Sequence, residues 1–299
     1  MNNVYETHLS GLAIVNRGKV RDLYAINSDS LLMVTSDRLS AFDRVFRYPV
    51  PGKGIILTDI SNFWFSKIGH VVPHHLLPVD PESIVSMEED RRAIHRRAVV
   101  VKRLTPIPIE SVVRGHLAGS GWNDYKRTGK VSDISLPPGI VPSKPLLEPI
   151  WTPFIKASNS GHDQICSFDY VANLVGKDIA EKMRSISIDI YKLAYDYALD
   201  KELILVDTKM EFGLDKDGTL YIMDELLTPD SSRYWRRDSI INGSDTPFSL
   251  DKQYIRDYWR KMSYHPDCQE LPDVPSYVID ELRRRYDEVH GLILGYRAV

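Results

Sequence analysis

Residues 203–226 run Leu203-Ile204-Leu205-Val206-Asp207-Thr208-Lys209-Met210-Glu211-Phe212-Gly213, then Leu214-Asp215-Lys216-Asp217-Gly218, then Thr219-Leu220-Tyr221-Ile222-Met223-Asp224-Glu225-Leu226. An apolar run, an Asp-Gly dipeptide and a second alternating run predict a β-hairpin. Side chains alternate along a strand, so Asp207, Lys209 and Glu211 share one face, and Thr208, Met210 and Phe212 the other. A two-residue loop at Asp217-Gly218 sets Glu211 opposite Asp224. A four-residue loop sets Lys209 opposite Asp224, with Glu211 on the diagonal. Either register predicts both carboxylates on one face. Opposed like charges destabilise a sheet. A hard divalent cation removes that repulsion, and Mg²⁺ typically takes one or two carboxylates together with substrate phosphates. The competing reading is a solvated hairpin with ion pairs through Lys209.

Working outward, residues 169–200 read as helix, with Ile179, Met183, Ile186, Ile190, Leu193 and Tyr197 stepping by three or four. Ser30–Thr35, Arg97–Leu104 and Glu110–Arg114 read as strands. A helix is expected to open at Thr58 or Asp59, run through Trp64 and Ile68, and stop before Pro73. Further helices are expected near 251–262 and 275–292. Strands, a long helix, a hairpin and then helices describe an α+β fold.

The chain has 299 residues, enough for about two domains. Lys and Arg number 38 and Asp and Glu 41, a net charge of −3 that argues against a nucleic-acid-coating protein. Cys166 and Cys268 form no CxxC pair or disulfide framework, which points to a reducing compartment. No apolar run is long enough to span a membrane, and Met1–Glu6 does not open a signal peptide. A cytoplasmic enzyme or binding protein is the expectation. Six prolines fall between 137 and 153, inside a loop-like stretch from 132 to 166. So long an irregular segment is usually functional or a linker.

Several other segments carry chemistry-bearing residues. Arg17-Gly18-Lys19-Val20-Arg21-Asp22 suits polyphosphate or a plain surface hairpin. Arg114-Gly115-His116-Leu117-Ala118-Gly119-Ser120-Gly121-Trp122 combines an arginine at a strand end with a glycine-rich entry to a helix. Ser120 is the expected cap. A helix N-terminus with Arg114 nearby makes a phosphate cup, or an ordinary cap and turn. Thr228-Pro229-Asp230-Ser231-Ser232-Arg233 reads as a turn offering Arg233 to a phosphate or carboxylate. Ser36-Asp37-Arg38-Leu39-Ser40-Ala41-Phe42-Asp43 concentrates polar groups after a strand, and Pro51-Gly52-Lys53-Gly54 is a turn. Lys156 and the His162-Asp163 pair flank a Ser/Gly-rich loop, Ser158–Gly161.

Together, and in this order along the chain, these segments resemble the SAICAR synthetase (phosphoribosylaminoimidazole-succinocarboxamide synthase) family in its roughly 300-residue form. The resemblance implies an N-terminal antiparallel β-sheet domain, residues 1–104, over a larger α+β domain, residues 105–299, with ATP in a kinase-like cleft. It implies condensation of CAIR (the carboxylated aminoimidazole ribonucleotide) with L-aspartate, driven by ATP, in de novo purine synthesis. Glu211 and Asp224 would hold Mg²⁺ and, with Lys209, form the catalytic set. Gly18, Lys19 and Arg21 would cover the ATP phosphates, with Lys102 and Leu104 at the adenine edge. Arg114, Ser120 and Arg233 would hold the ribose phosphate, with Asp230 beside them. Ser36, Asp37 and Ser40 are expected to contact CAIR or aspartate. The implied partners are these small molecules alone, and a monomer is expected. The alternatives are another small-molecule phosphotransferase with the same Mg-ATP cleft, or a nucleotide-binding module without activity.

Overall fold

The computed structural model describes residues 3–156, 163–241, 247–262, 264 and 270–295. Ser158–Gly161, His162 and Cys268 lie outside the described residues. In chain order the first elements are strands β1 (Ile14–Arg17), β2 (Arg21–Ala25), β3 (Ser30–Thr35), β4 (Ser40–Ala41) and β5 (Arg44–Val45). Helices α1 (Lys53–Ile68) and α2 (Glu88–Ile94) precede β6 (Ala98–Lys102) and β7 (Thr105–Arg114). Helix α3 (Gly119–Thr128) leads to short strands β8 (Lys130–Val131), β9 (Ile134–Ser135), β10 (Ile150–Trp151), β11 (Phe154–Ile155) and β12 (Gln164–Ile165). Then come α4 (Phe168–Val175), α5 (Lys177–Asp200), β13 (Leu203–Leu214), β14 (Leu220–Met223) and β15 (Ser232–Arg236). Helices α6 (Arg237–Ile241), α7 (Gln253–Lys261) and α8 (Ser276–Leu294) complete the order. Among the described residues no helix is long and apolar enough to cross a membrane.

The chain divides into two units. One comprises Met1–Phe65, His75–Leu104 and Leu250–Val299, the other Ser66–His74 and Thr105–Ser249. The resemblance implies one domain for residues 105–299, whereas Leu250–Val299 group with the N-terminal strands. Aromatic packing is one reason: Trp259 of α7 meets Phe46 and Phe42 edge-on, with Phe46 at 5.4 Å. His290 of α8 also reaches Asp59 at 3.1 Å. Contacts of this kind join residues more than 200 apart and leave no local mark in the sequence.

In the first unit β1-β2-β3-β6 form an antiparallel sheet. One face buries Tyr24, Leu32, Val34, Ala98 and Val100 against Leu9, Val85 and Ile94. Helix α1 begins at Lys53, five residues before the expected Thr58. Its first turn is received from a distance: Asp37 accepts the Gly54 N–H at 2.8 Å. Gly54 itself is required, since a Cβ there would lie 2.3 Å from the Thr35 carbonyl oxygen. Thr58 caps nothing and bonds back to the Gly54 carbonyl at 2.9 Å.

The second unit is built on a seven-stranded sheet, β12-β11-β7-β13-β14 with β10 also on β7 and β15 also on β13. Helix α5 lies against β13 and β7. Its buried face is Ala180, Met183, Ser187, Ile190, Tyr191, Ala194 and Ala198, rotated from the expected stripe so that Ile186, Leu193 and Tyr197 are only half-buried. The small residues let the helix approach the sheet, a role that hydrophobicity alone does not reveal. The expected 169–200 helix is broken at Gly176, where φ is 89°. Pro106 and Pro108 fall within β7, beside a register shift in its pairing with β13, as strand prolines tend to.

The predicted hairpin is present with a third register. Glu211 pairs with Met223 and Leu214 with Leu220, neither of the two alternatives expected. The turn is a three-residue loop with Gly218 in the left-handed region at φ 77°. The Asp215 carboxylate accepts the N–H groups of Asp217 and Thr219 at 3.0 and 2.9 Å. This odd-numbered loop shifts the pairing by one residue and would send Asp224 to the wrong face. The strand instead ends at Met223, and Asp224 takes φ 67°. From there its charge raises the Lys209 pKa.

Candidate active site

One face of the second unit's sheet collects charged side chains from three strands. Antiparallel pairing sets Arg114 beside Asp207, Val112 beside Lys209, and Glu110 beside Glu211. On the other side of β13, Arg233 pairs with Asp207. Residues directly opposite in a ladder share a face, so β7, β13 and β15 present Glu110, Arg114, Asp207, Lys209, Glu211 and Arg233 together. The opposite face is held by buried contacts to α5. Ser111 and Ser187 hydroxyls meet at 2.7 Å, and Trp151 donates to Ser111 at 2.6 Å.

The two ends of this face differ in charge. At one end Asp207 receives two guanidinium groups, Arg114 at 3.2 Å and Arg233 in a shorter contact. Arg114 also donates to Thr152 at 3.0 Å and reaches the Ser120 hydroxyl at 3.5 Å. Two cations on one anion leave a positive surplus. Burial lowers the Arg114 pKa, and Asp207 partly offsets this; a guanidinium keeps its charge throughout. Helix α3 starts at this end. Its N-cap is Ala118, not the expected Ser120, and no side chain caps it. A Cβ at Gly119 would lie 2.5 Å from the Arg233 guanidinium, so only glycine lets the two approach. Arg233 sits in β15 rather than in the expected turn. Asp230 remains in that turn, its N–H donating to Thr228 at 3.2 Å.

At the other end Glu211 accepts Lys156 at 2.5 Å and Lys209 at 3.3 Å, while Lys209 also reaches Glu110 at 2.7 Å. Burial pushes the Glu211 carboxyl up, but the two ammonium groups outweigh it and hold it down at about 2. Burial likewise lowers Lys209, and Glu211, Glu110 and Asp224 outweigh it, so its pKa lies above the ordinary lysine value. Both groups are therefore ionised at neutral pH. Asp207 and Glu211 are four residues apart on β13, about 13 Å along the strand.

Glu110 carries no local signal in the sequence, because its place beside Glu211 follows from the long-range β7–β13 register. The sequence sets Lys156 beside a Ser/Gly-rich loop as a further candidate for substrate contact, and the fold brings it to Glu211. The proline-rich segment before it is tied down: Leu146 N–H donates to the Gly115 carbonyl at 2.7 Å and Thr152 N–H to Val112 at 2.8 Å.

The remaining expected site residues lie in the first unit. Gly18, Lys19 and Arg21 form the turn and strand start of the β1–β2 hairpin. The Lys19 ammonium is half-exposed and meets Asp43 at 2.6 Å. Lys102 ends β6, and Leu104 follows it half-buried. Ser40 is half-buried in β4. Ser36 and Asp37, however, are fully buried. Asp37 accepts the N–H groups of Val4 and Gly54, each at 2.8 Å, and pairs with Arg97 at 2.9 Å. Their polar atoms serve the fold, and no side-chain surface is left for a substrate.

For Mg²⁺, the test is the donor set. Among the described residues no three His, Cys, Asp or Glu side chains form a protein-only metal cage. A cation that completes its shell with water and phosphate oxygens needs none. Glu211 is ionised and its oxygens keep further lone pairs, and Asp224 lies near enough to act on Lys209. Hard oxygen donors of this kind fit the ion.

Comparison with known proteins gives the same answer over nearly the whole chain. The SAICAR synthetase family model matches residues 14–270. A phosphoribosylaminoimidazole-succinocarboxamide synthase of Cupriavidus metallidurans is 48% identical over 296 residues, 98% of this chain and 97% of the relative. The structure of the Saccharomyces cerevisiae SAICAR synthase complexed with SAICAR superposes with a TM-score of 0.88 at 33% identity, covering 99% of both chains. A type-2 SAICAR synthetase in complex with ADP superposes at 0.69 with 26% identity, covering 96% of this chain and 100% of that one. The chain belongs to the SAICAR synthetase family, ATP-dependent carbon–nitrogen ligases of de novo purine biosynthesis.

Proposed function

We propose that the charged face of β7, β13 and β15 is where CAIR is held and ligated to L-aspartate. The observation that carries this reading is the difference between the two ends of the face: two arginines on the single carboxylate Asp207, and at the other end two lysines set among Glu110, Glu211 and the charge of Asp224. At the cationic end Arg114, Arg233, Ser120 and the uncapped N-terminus of α3 offer convergent donors to a phosphate dianion. Asp230 lies in the turn before β15. A phosphate bound there leaves the base of a ribonucleotide free to extend along β13 towards Glu211.

A carboxylate does not condense with an amine near neutral pH, because its oxygen is a poor leaving group. Attack of the CAIR carboxylate oxygen on the ATP γ-phosphorus, with ADP leaving, makes an acyl phosphate. The aspartate amine then attacks the acyl carbon and phosphate leaves. Charge accumulates on the transferring phosphoryl oxygens, so positioning and fixed charge do most of the work. Lys209 stays protonated and serves as such a charge; Lys156 stands on the opposite side of the same carboxylate. Glu211, held ionised, orients both. Glu211 and Asp224 would hold Mg²⁺, which when bound supplies charge neutralisation to the phosphates. In the first unit, the Gly18, Lys19 and Arg21 hairpin suits the ATP phosphates, and Lys102 and Leu104 the adenine edge. Of Ser36, Asp37 and Ser40, it is Ser40 that keeps surface for substrate.

The test is ADP release with CAIR present, with and without L-aspartate. Sustained ADP and succinocarboxamide formation only with aspartate is the expected result. Phosphate transferred to an alcohol without aspartate would instead mark a small-molecule kinase.

A further inference from the structure

The buried segment Ser36-Asp37-Arg38 faces inward, yet it does something specific to the β1–β2 turn. The three successive carbonyls of that turn all go to it. The Gly18 carbonyl accepts from Arg38 Nη2 at 3.0 Å and the Lys19 carbonyl from Arg38 Nε at 3.1 Å. The Val20 carbonyl accepts the Ser36 N–H at 2.9 Å and the Ser36 hydroxyl at 2.6 Å. Along a regular strand successive carbonyls alternate in direction, so this arrangement needs a brace. The brace is itself anchored. Arg38 donates to the Tyr5 carbonyl at 2.6 Å and pairs with buried Asp22 at 2.7 Å, and Asp22 accepts the Thr7 hydroxyl at 2.8 Å. The Lys53 ammonium bonds the Arg38 carbonyl at 3.0 Å.

A trans peptide is planar, with its C=O and N–H pointing in opposite directions. Drawing the Gly18 and Lys19 carbonyls inward therefore turns the N–H groups of Lys19 and Val20 outward. Successive outward N–H groups with an ammonium beside them form an anion-binding concavity. We propose that Ser36 and Arg38 are positioning residues for ATP: they hold the carbonyls of the Gly18–Val20 turn inward so that its N–H groups face a triphosphate. The proposal rests on the reading of that turn as phosphate-covering.

Steady-state kinetics of the full chain with Ser36→Ala, Arg38→Lys and Lys19→Ala test it. Arg38→Lys keeps the charge but loses the planar fork, and Ser36→Ala is a milder change if the lysine variant folds poorly. The expected result is a rise in KM for ATP of about tenfold for Arg38→Lys and about threefold for Ser36→Ala. KM for CAIR and for aspartate should stay within about twofold, a split that a merely structural role would not produce. If Lys19→Ala raises the ATP KM while folded Ser36→Ala and Arg38→Lys do not, the phosphate-covering reading stands and the brace is refuted. Equal rises in all three KM values would also refute it. If Lys19→Ala leaves the ATP KM unchanged, the reading of the turn fails and takes the proposal with it.

Discussion

Two regions of this molecule are built from the same chemistry, arginines and lysines against aspartates and glutamates, and behave differently. In the first unit, Asp22, Asp37, Arg38, Arg97 and Lys53 are all buried. Asp37 pairs with Arg97 and accepts two backbone N–H groups, and Asp22 pairs with Arg38 and Arg17 and accepts the Thr7 N–H. In the second unit, the partners of Asp207 and Glu211 are side chains, two cations for each carboxylate. Arg233 keeps 18% of its side chain exposed, Lys209 29% and Lys156 33%. A charge network saturated by main chain fixes a loop. One held mainly by other side chains, and open at its rim, can exchange those partners for a substrate.

The contrast is broken most forcefully at Glu211. Glu211→Gln should lower kcat by about three orders of magnitude, since the fixed charges around the phosphoryl group lose their organiser. Its unfolding midpoint should move by about 5 °C or less. Turnover within tenfold of the parent, in a folded variant, would place the chemistry elsewhere. The closed network should show the reverse. Asp37→Ala leaves Arg97 and two N–H groups without their carboxylate, and denaturant unfolding should register a loss of about 3–5 kcal/mol. A loss under about 1 kcal/mol would mean that the network is not structural.

His116 tests whether the open face has a closed support of its own. Its ring is buried against Tyr195 and Trp235, and burial lowers its pKa to about 4 from an ordinary 6.5. Between these values the unfolded chain binds the extra proton and the native one does not, so stability falls as pH drops from 6.5 towards 4. The full span corresponds to about 3 kcal/mol. Denaturation of His116→Leu at pH 7 and pH 4 should show that acid loss reduced; an unchanged pH slope would show that another group is responsible. The smallest expected effect is at the cationic end. Arg233→Ala should raise KM for CAIR about thirtyfold, near 2 kcal/mol, with KM for ATP little changed. An unaltered CAIR KM would remove Arg233 from the phosphate site.

What the sequence revealed follows the range of the forces involved. The alternation of Asp207, Lys209 and Glu211 and the strand Ser30–Thr35 were legible because period-two patterning is local. The hairpin register was not, since the choice between loop lengths turned on Asp215 capping two N–H groups. Asp224 still acts on Lys209 through its charge, from a position just past the strand end with a positive φ that alternation does not predict. Ser36 and Asp37 looked like site residues because small polar side chains after a strand often are. Their true partners, Val4, Val20, Gly54 and Arg97, come from four separate segments. Glu110 and Arg114 illustrate the same limit, because only the pairing of β7 with β13 sets them against Glu211 and Asp207.

The proposed site places a nucleotide along β13, with its phosphate at the Asp207 end and its reacting carboxylate at Glu211. A crystal structure of this protein with CAIR bound tests it most directly. The phosphate should contact Arg114, Arg233, Ser120 and the N-terminus of α3, with the imidazole carboxylate directed towards Glu211. A phosphate seated away from both arginines, or a carboxylate turned away from Glu211, would contradict it.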